Sequence, residues 1–256
     1  DAFIGQYFRF RLNAMQFIDK NQELGLSITF NADNTIIPAL TYREETGRFS
    51  NRNYNGGVSL NKMIGLNAMS IFSVNIESFN LVPEYISNIK LQRTAFNSYS
   101  VNYQYQVNTV DTKHYPNRGT ISNIGINTSK LFSGRVKTSQ YDRMYHKDFP
   151  EDFMFRRNLS FAGNIKHYFS LGKKTTFSLK ASLLYTYHPD STISHNSYIF
   201  IGGINSTTRR SVPMTGFHAN EIPAESFASV GFDGDIELLR DLHLEIMTDA
   251  GIAREA

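Results

Sequence analysis

Apolar and polar side chains alternate with a period of two along most of this chain, and that one property excludes a helical fold. Residues 98–108, SYSVNYQYQVN, place Tyr99, Val101, Tyr103, Tyr105 and Val107 on one face. Asn102, Gln104, Gln106 and Asn108 fall on the other. Successive side chains of a strand point to opposite sides, so the segment reads as a two-faced strand. Residues 175–187, TTFSLKASLLYTY, repeat the pattern, with Leu184 as the one apolar residue on the polar side. The stretches 6–13, 24–31, 227–238 and 242–252 agree. About thirteen strands are expected, centred near residues 9, 28, 40, 59, 73, 91, 103, 126, 162, 181, 199, 232 and 247. Turn-forming residues separate most of them, as in Asp19-Lys20-Asn21-Gln22 and Gly172-Lys173-Lys174. No twelve-residue segment holds a helical period, and no linker divides the chain, so 1–256 reads as one domain.

A soluble sandwich alternates too, so the choice of solvent rests on other features. The strands are long and many. Their polar face carries Asn, Gln, Ser, Thr and ionisable groups at strand centres, which suits a wet interior, and Tyr and Phe gather near strand ends as an aromatic girdle would. Hydrophobic residues are 41% and charged residues 19% of the chain, both under the usual globular shares of roughly 45–50% and about 25%. Fourteen Tyr and twenty Phe exclude a charge-driven disordered chain. A sheet in lipid must close, because open edges leave backbone groups unpaired. The expected fold is therefore an all-β, antiparallel transmembrane β-barrel in a bacterial outer membrane. Its expected partners are outer-membrane lipid and lipopolysaccharide, and the barrel-assembly machinery during insertion. The irregular stretches near 136–154 and 202–226 are expected on the outer side or in the lumen.

Catalytic and cofactor chemistry finds no foothold. The absence of Cys removes disulfides, thiolate zinc sites and a thiol nucleophile. The seven His form no His-Glu-x-x-His pair, and no Gly-x-Ser-x-Gly elbow occurs. No catalytic residue, cofactor or metal ligand is assigned within this segment. A net charge of +3, spread along the chain, indicates no nucleic-acid partner. Arg9, Arg11, Lys90, Lys166 and Lys180 read as lumen or rim charges.

Two stretches resemble a known family. Asp111, Tyr115, Pro116, Arg118 and Gly119 resemble the aspartate-aromatic-Pro-x-Arg-Gly hairpin of BamA-type assembly and translocation barrels. That superfamily includes two-partner-secretion transporters and the surface-antigen-like barrels attached to patatin-like phospholipases. Further on, Gly202-Gly203 ends a strand, a loop with Arg209 and Arg210 follows, and two strands carry Gly231-Phe232-Asp233 and Met247-Thr248-Asp249. In that family a Gly-Gly precedes a loop whose Arg enters the lumen and meets two such acidic residues. The resemblance thus implies a loop lock of Arg209 or Arg210 with Asp233 and Asp249. By the alternation alone, both aspartates fall on the polar face. The family's Val-Arg-Gly-aromatic tip is replaced here by Thr208-Arg209-Arg210, with Gly216-Phe217 following later.

The resemblance also implies about sixteen strands, with the locked loop entering the twelfth. The segment is then truncated at both ends, and a periplasmic or enzymatic domain lies before Asp1. The string VPMTGFHANE (212–221) resembles barrels of Gram-negative Bacteroidetes patatin-like phospholipases. The first functional expectation is therefore a barrel that anchors, and helps export, an attached patatin-like phospholipase domain, whose serine-lipase site would lie outside this segment. The alternatives are a BamA-like assembly or secretion translocator, a passive porin, and a soluble β protein that binds glycans.

Overall fold

The computed structural model describes residues 2–3, 8–41, 44–86, 91–112, 115–138, 142–144, 157–172, 174–187, 199–202, 211–212, 214, 222–239 and 242–255. They form one sheet of fourteen strands. Ten are long: β2 (Phe8–Phe17), β3 (Leu24–Thr41), β4 (Glu44–Ile64), β5 (Ala68–Ile86), β6 (Leu91–Asn108), β7 (Gly119–Thr138), β9 (Arg157–Ser170), β10 (Thr175–Tyr187), β13 (Ile222–Leu239) and β14 (Leu242–Glu255). Four are short: β1 (Ala2–Phe3), β8 (Asp142–Met144), β11 (Ile199–Ile201) and β12 (Ser211–Val212). The long strands pair as antiparallel neighbours in chain order, β2-β3-β4-β5-β6-β7-β9-β10-β13-β14. Only β11 and β12 pair in parallel among the described residues.

The expected all-β, antiparallel class is what the structure has, with the strands partitioned differently. The centres at 28 and 40 both fall in β3, and those at 91 and 103 both fall in β6. The centre at 199 falls on the three-residue β11. Strand length, and not the register shifts, explains the double counting. Bulges sit between Ala39 and Leu40 and between Leu91 and Arg93. These add one residue to β4 and one to the start of β6 and leave the alternation of β3 intact; β3 and β6 each run for 18 residues, long enough to hold two spans of about ten. The strand after the Gly-Gly loop is accordingly the ninth of the long strands, not the twelfth, and the Asp249 strand is the tenth.

The two longest connections join strand ends on the same side of the sheet. The strand ends joined by 18–23, 65–67, 109–118, 171–174 and 240–241 lie at one end of the sheet, its short-turn end, and those joined by 42–43, 87–90, 139–156 and 188–221 lie at the other, the long-link end. Most of the two irregular stretches, 136–154 and 202–226, lies outside the described residues.

Burial is inverted relative to a water-soluble domain. On β4, Ser59 is 8% exposed while its neighbours Val58 and Leu60 are 49% and 44% exposed. On β5, Ser73 is 5% exposed between Phe72 and Val74, at 48% and 46%. Ser27, Asn53, Asn55, Asn61, Ser129 and Asn158 continue the buried polar face on the neighbouring strands. Buried polar groups require hydrogen bonds, and several of these make them across strands. Asn61 Nδ2 donates to Ser27 Oγ at 2.8 Å and Asn53 Nδ2 to Glu77 Oε1 at 2.8 Å. Asn102 Nδ2 donates to Ser73 Oγ at 3.4 Å, and Ser129 pairs with Asn158. The opposite face is a continuous apolar surface of Leu, Ile, Val, Phe and Tyr. Such a face is costly in water and stable against hydrocarbon.

Candidate functional site

The polar, inner face of β9, β10, β13 and β14 gathers the ionisable residues. Alternation places Lys166 on β9, Lys180 on β10, and Asp233 and Asp249 on neighbouring strands, all on this face. The register then brings them together: Lys166 stands opposite Lys180, Lys180 opposite Gly231, and Gly231 opposite Asp249. Lys180 Nζ lies 2.8 Å from Asp249 Oδ1 and 2.9 Å from Asp233 Oδ1. Lys166 Nζ lies 2.8 Å from Asp233 Oδ2. The Lys180–Asp233 contact is a charge contact and not a well-aligned hydrogen bond, since Asp233 Oδ1 has no partner by hydrogen-bond geometry. Ser178 Oγ adds a bond to Asp233 Oδ2 at 3.3 Å, and the Lys166 ammonium sits 5.0 Å from the centre of the Tyr168 ring.

Gly231 makes the long reach possible. Lys180 and Asp249 sit two strands apart, with β13 between them. A Cβ on Gly231 would fall 2.3 Å from both Lys180 Cε and Asp249 Oδ1. The glycine of Gly231-Phe232-Asp233 is therefore a gap through which the lysine stem passes. Two cations and two anions balance on the wall, and Asp249 is only 7% exposed. An ion of that burial requires a charge partner.

The expected site residues divide as follows. Asp233 and Asp249 both contact Lys180, which lies between them. Gly202 is buried with φ +125°, in the region that favours glycine, and its N–H donates to Val212 O at 3.1 Å. Gly203, Arg209 and Arg210 lie outside the described residues. Lys166 and Lys180 had read only as lumen or rim charges. Their shared parity, and a glycine opposite one of them, were the available signals for a bridging role.

The base of the Gly-Gly loop packs on the inner face. Ile201, Ala224 and Phe227 form a buried apolar cluster, joined by Leu184, Val212, Met214 and Ile222. Leu184 stands opposite Phe227 on the inner side. Its break in the alternation is thus a seat for the loop base, not a misplaced lipid-facing residue. A second inner apolar group, Phe79, Phe96 and Leu131, is also buried, with the two Phe rings stacked at 6.4 Å.

The hairpin signature residues form one turn. Asp111 Oδ1 accepts the backbone N–H of Asn117 at 2.9 Å and of Arg118 at 3.3 Å. Although desolvation pushes the Asp111 carboxyl up, these N–H groups together hold it below its ordinary value. Tyr115 and Gly119 both adopt positive φ, 51° and 112°. At Gly119 a Cβ would meet Thr109 O at 2.4 Å, so both space and backbone demand glycine. Among the described residues no group of three or more His, Cys, Asp and Glu is placed to hold a metal ion.

No family model matches this sequence, and no curated protein matches it. Among solved structures, BamA from Haemophilus ducreyi lacking POTRA domains 1-3 aligns with a TM-score of 0.68 at 10% sequence identity. The alignment covers 97% of this chain and 50% of that one, so the chain spans half the length of its structural neighbour. The antiparallel sheet of ten long strands, polar within and apolar without, has the fold of a BamA-like β-barrel.

Proposed function

We propose that this chain is the membrane-embedded wall of a BamA-like barrel in a bacterial outer membrane, of the assembly or translocator type. The inverted burial carries the reading: serines and asparagines are buried while Val58, Leu60, Phe72 and Val74 face outward. Lipid, lipopolysaccharide and the insertion machinery are the partners this reading gives it. The short-turn end would face the periplasm and the long-link end the exterior, following the usual asymmetry of such barrels. The fold likeness to BamA supports the translocator type over a passive porin. So do the two buried apolar groups on the inner face, which an open water-filled channel would not carry.

Arg209 or Arg210 is proposed to enter the lumen and join the Asp233–Lys180–Asp249 bridge. Support comes from Val212 and Met214, just beyond these arginines, which pack on the inner face. An attached patatin-like phospholipase domain is the finer reading. It rests on the 212–221 string, and the sequence upstream of Asp1 in the intact protein decides it. A Gly-x-Ser-x-Gly domain there makes this barrel an enzyme anchor, and small periplasmic repeats make it an assembly or secretion channel. The membrane reading itself is tested by fractionation and gel mobility. The folded protein should remain with outer membranes after carbonate extraction and should migrate differently before and after boiling. Recovery in the soluble fraction, monodisperse without detergent, would refute it.

A further inference from the structure

The sequence signature in the β6–β7 link reaches far beyond its own hairpin. Asn117 Oδ1 accepts a hydrogen bond from Thr176 Oγ1 on β10 at 3.0 Å. The Tyr115 ring lies flat on His243 of β14, with centroids 3.6 Å apart and planes 4° apart. His243 in turn contacts Asp235 of β13 through Nδ1 at 2.8 Å. From β7 to β14 is four strand spacings, roughly 19 Å across the sheet, so 115–117 crosses the inner face of the intervening strands. Beneath it lies a cavity of about 370 Å³, with Tyr115 and Pro116 on one side and Lys166, Asp233, Glu245 and Met247 among its walls.

We propose that 115–117 is a strap that covers the short-turn end of the lumen over the lysine–aspartate bridge, with the Tyr115–His243 stack as its clasp. The built-in strain fits this task. Tyr115 holds a positive φ that bulky residues rarely adopt, and the conformation aims its ring across the sheet. Asp111 and Thr112 fix the turn from behind, Thr112 Oγ1 donating to Tyr115 O at 3.0 Å. When the clasp opens, solvent on the short-turn side gains the cavity. When it is closed, the charged bridge is screened from that side. The proposal does not require the chain to carry any particular cargo or attached enzyme.

The test uses the absence of native cysteine. Met247→Cys is placed in the intact protein, reconstituted in phospholipid vesicles with the short-turn end accessible. The rate of modification by a bulky, membrane-impermeant maleimide is then measured. An aromatic clasp of ordinary strength predicts that Tyr115→Ala raises the rate by about tenfold. Tyr115→Phe, which keeps the ring, should leave it within about twofold of the parent, a difference much smaller than the loss of a stacked pair. His243→Ala should match Tyr115→Ala, and the two together should add little. Boiling-dependent gel mobility confirms that each variant is a folded barrel and reports separately on the membrane reading. Equal rates in the parent and in Tyr115→Ala, with folded barrels in both, would overturn the strap. So would a Tyr115→Phe rate as high as that of Tyr115→Ala.

Discussion

The inner face is held in two different ways around the sheet. From β3 to β7 it is largely a lattice of short amides and hydroxyls bonded one strand away, as in Asn61–Ser27 and Asn102–Ser73, with Glu77 accepting from Asn53. From β9 to β14 it is a charged lattice in which Lys180 crosses a strand to reach Asp249 and also touches Asp233. The neutral arc is redundant, since each bond is one of many similar ones worth about 1 kcal/mol. In the charged arc the ions share partners, and removal of one weakens the compensation of the others. Tolerance to substitution should therefore differ sharply between the two halves.

The largest expected effect is at Lys180. Lys180→Met keeps the stem and deletes the charge shared by two aspartates. A loss of up to about 3 kcal/mol is expected from deleting the cation that both carboxylates share, read as reduced resistance to denaturant of the detergent-solubilised barrel. A neutral result would mean that the bridge is not structural. Gly231→Ala comes next. Its new methyl group displaces the lysine stem from Asp249, at a cost of about 1–3 kcal/mol. Its effect should shrink when combined with Lys180→Met, because the displaced contact is already gone, and strict additivity would contradict the crossing. Asn61→Ala in the neutral arc should cost only about 1 kcal/mol. It should also be insensitive to salt, whereas the Lys180→Met difference should narrow as salt screens the partly wet ions. Equal salt dependence in both arcs would dissolve the comparison.

The smallest effect is at Asp111. Its carboxyl is held below the ordinary value by backbone N–H groups, so the native turn favours the ionised form. That stabilisation is present above the unfolded-state value and is lost as pH falls through the lower, native one. Asp111→Asn should remove it at neutral pH, with the difference from the parent vanishing in strong acid. A mutant-to-parent difference that grows on acidification would contradict this sign.

The two arcs were not equally legible in the sequence. The alternation alone places Ser27, Asn61, Lys180, Asp233 and Asp249 on one face, because a strand allows only two. Which residues meet across that face depends on register, and the bulges at Ala39/Leu40 and Leu91/Arg93 move the register without leaving a turn signal. One 18-residue strand resembled two because its length holds two spans of about ten residues. The Asp233–Asp249 pairing was accessible through the family resemblance. Lys180 as its bridge was not, because nothing local to Lys180 marks it. The sign lies on another strand, in the missing side chain of Gly231. Leu184 looked like a fault in the pattern until the loop base supplied its neighbour.

The central claim is that the apolar face meets lipid and the polar face does not, and the lack of native tryptophan makes it directly testable. Ile165 and Asn164 are neighbours on β9, both accessible, and point to opposite faces. Single tryptophans at these positions should be placed separately in the folded protein, in vesicles whose acyl chains carry bromine. The account predicts strong quenching for Ile165→Trp and little for Asn164→Trp. Quenching of neither, or of both alike, would contradict a barrel wall with lipid on one side and a polar interior on the other.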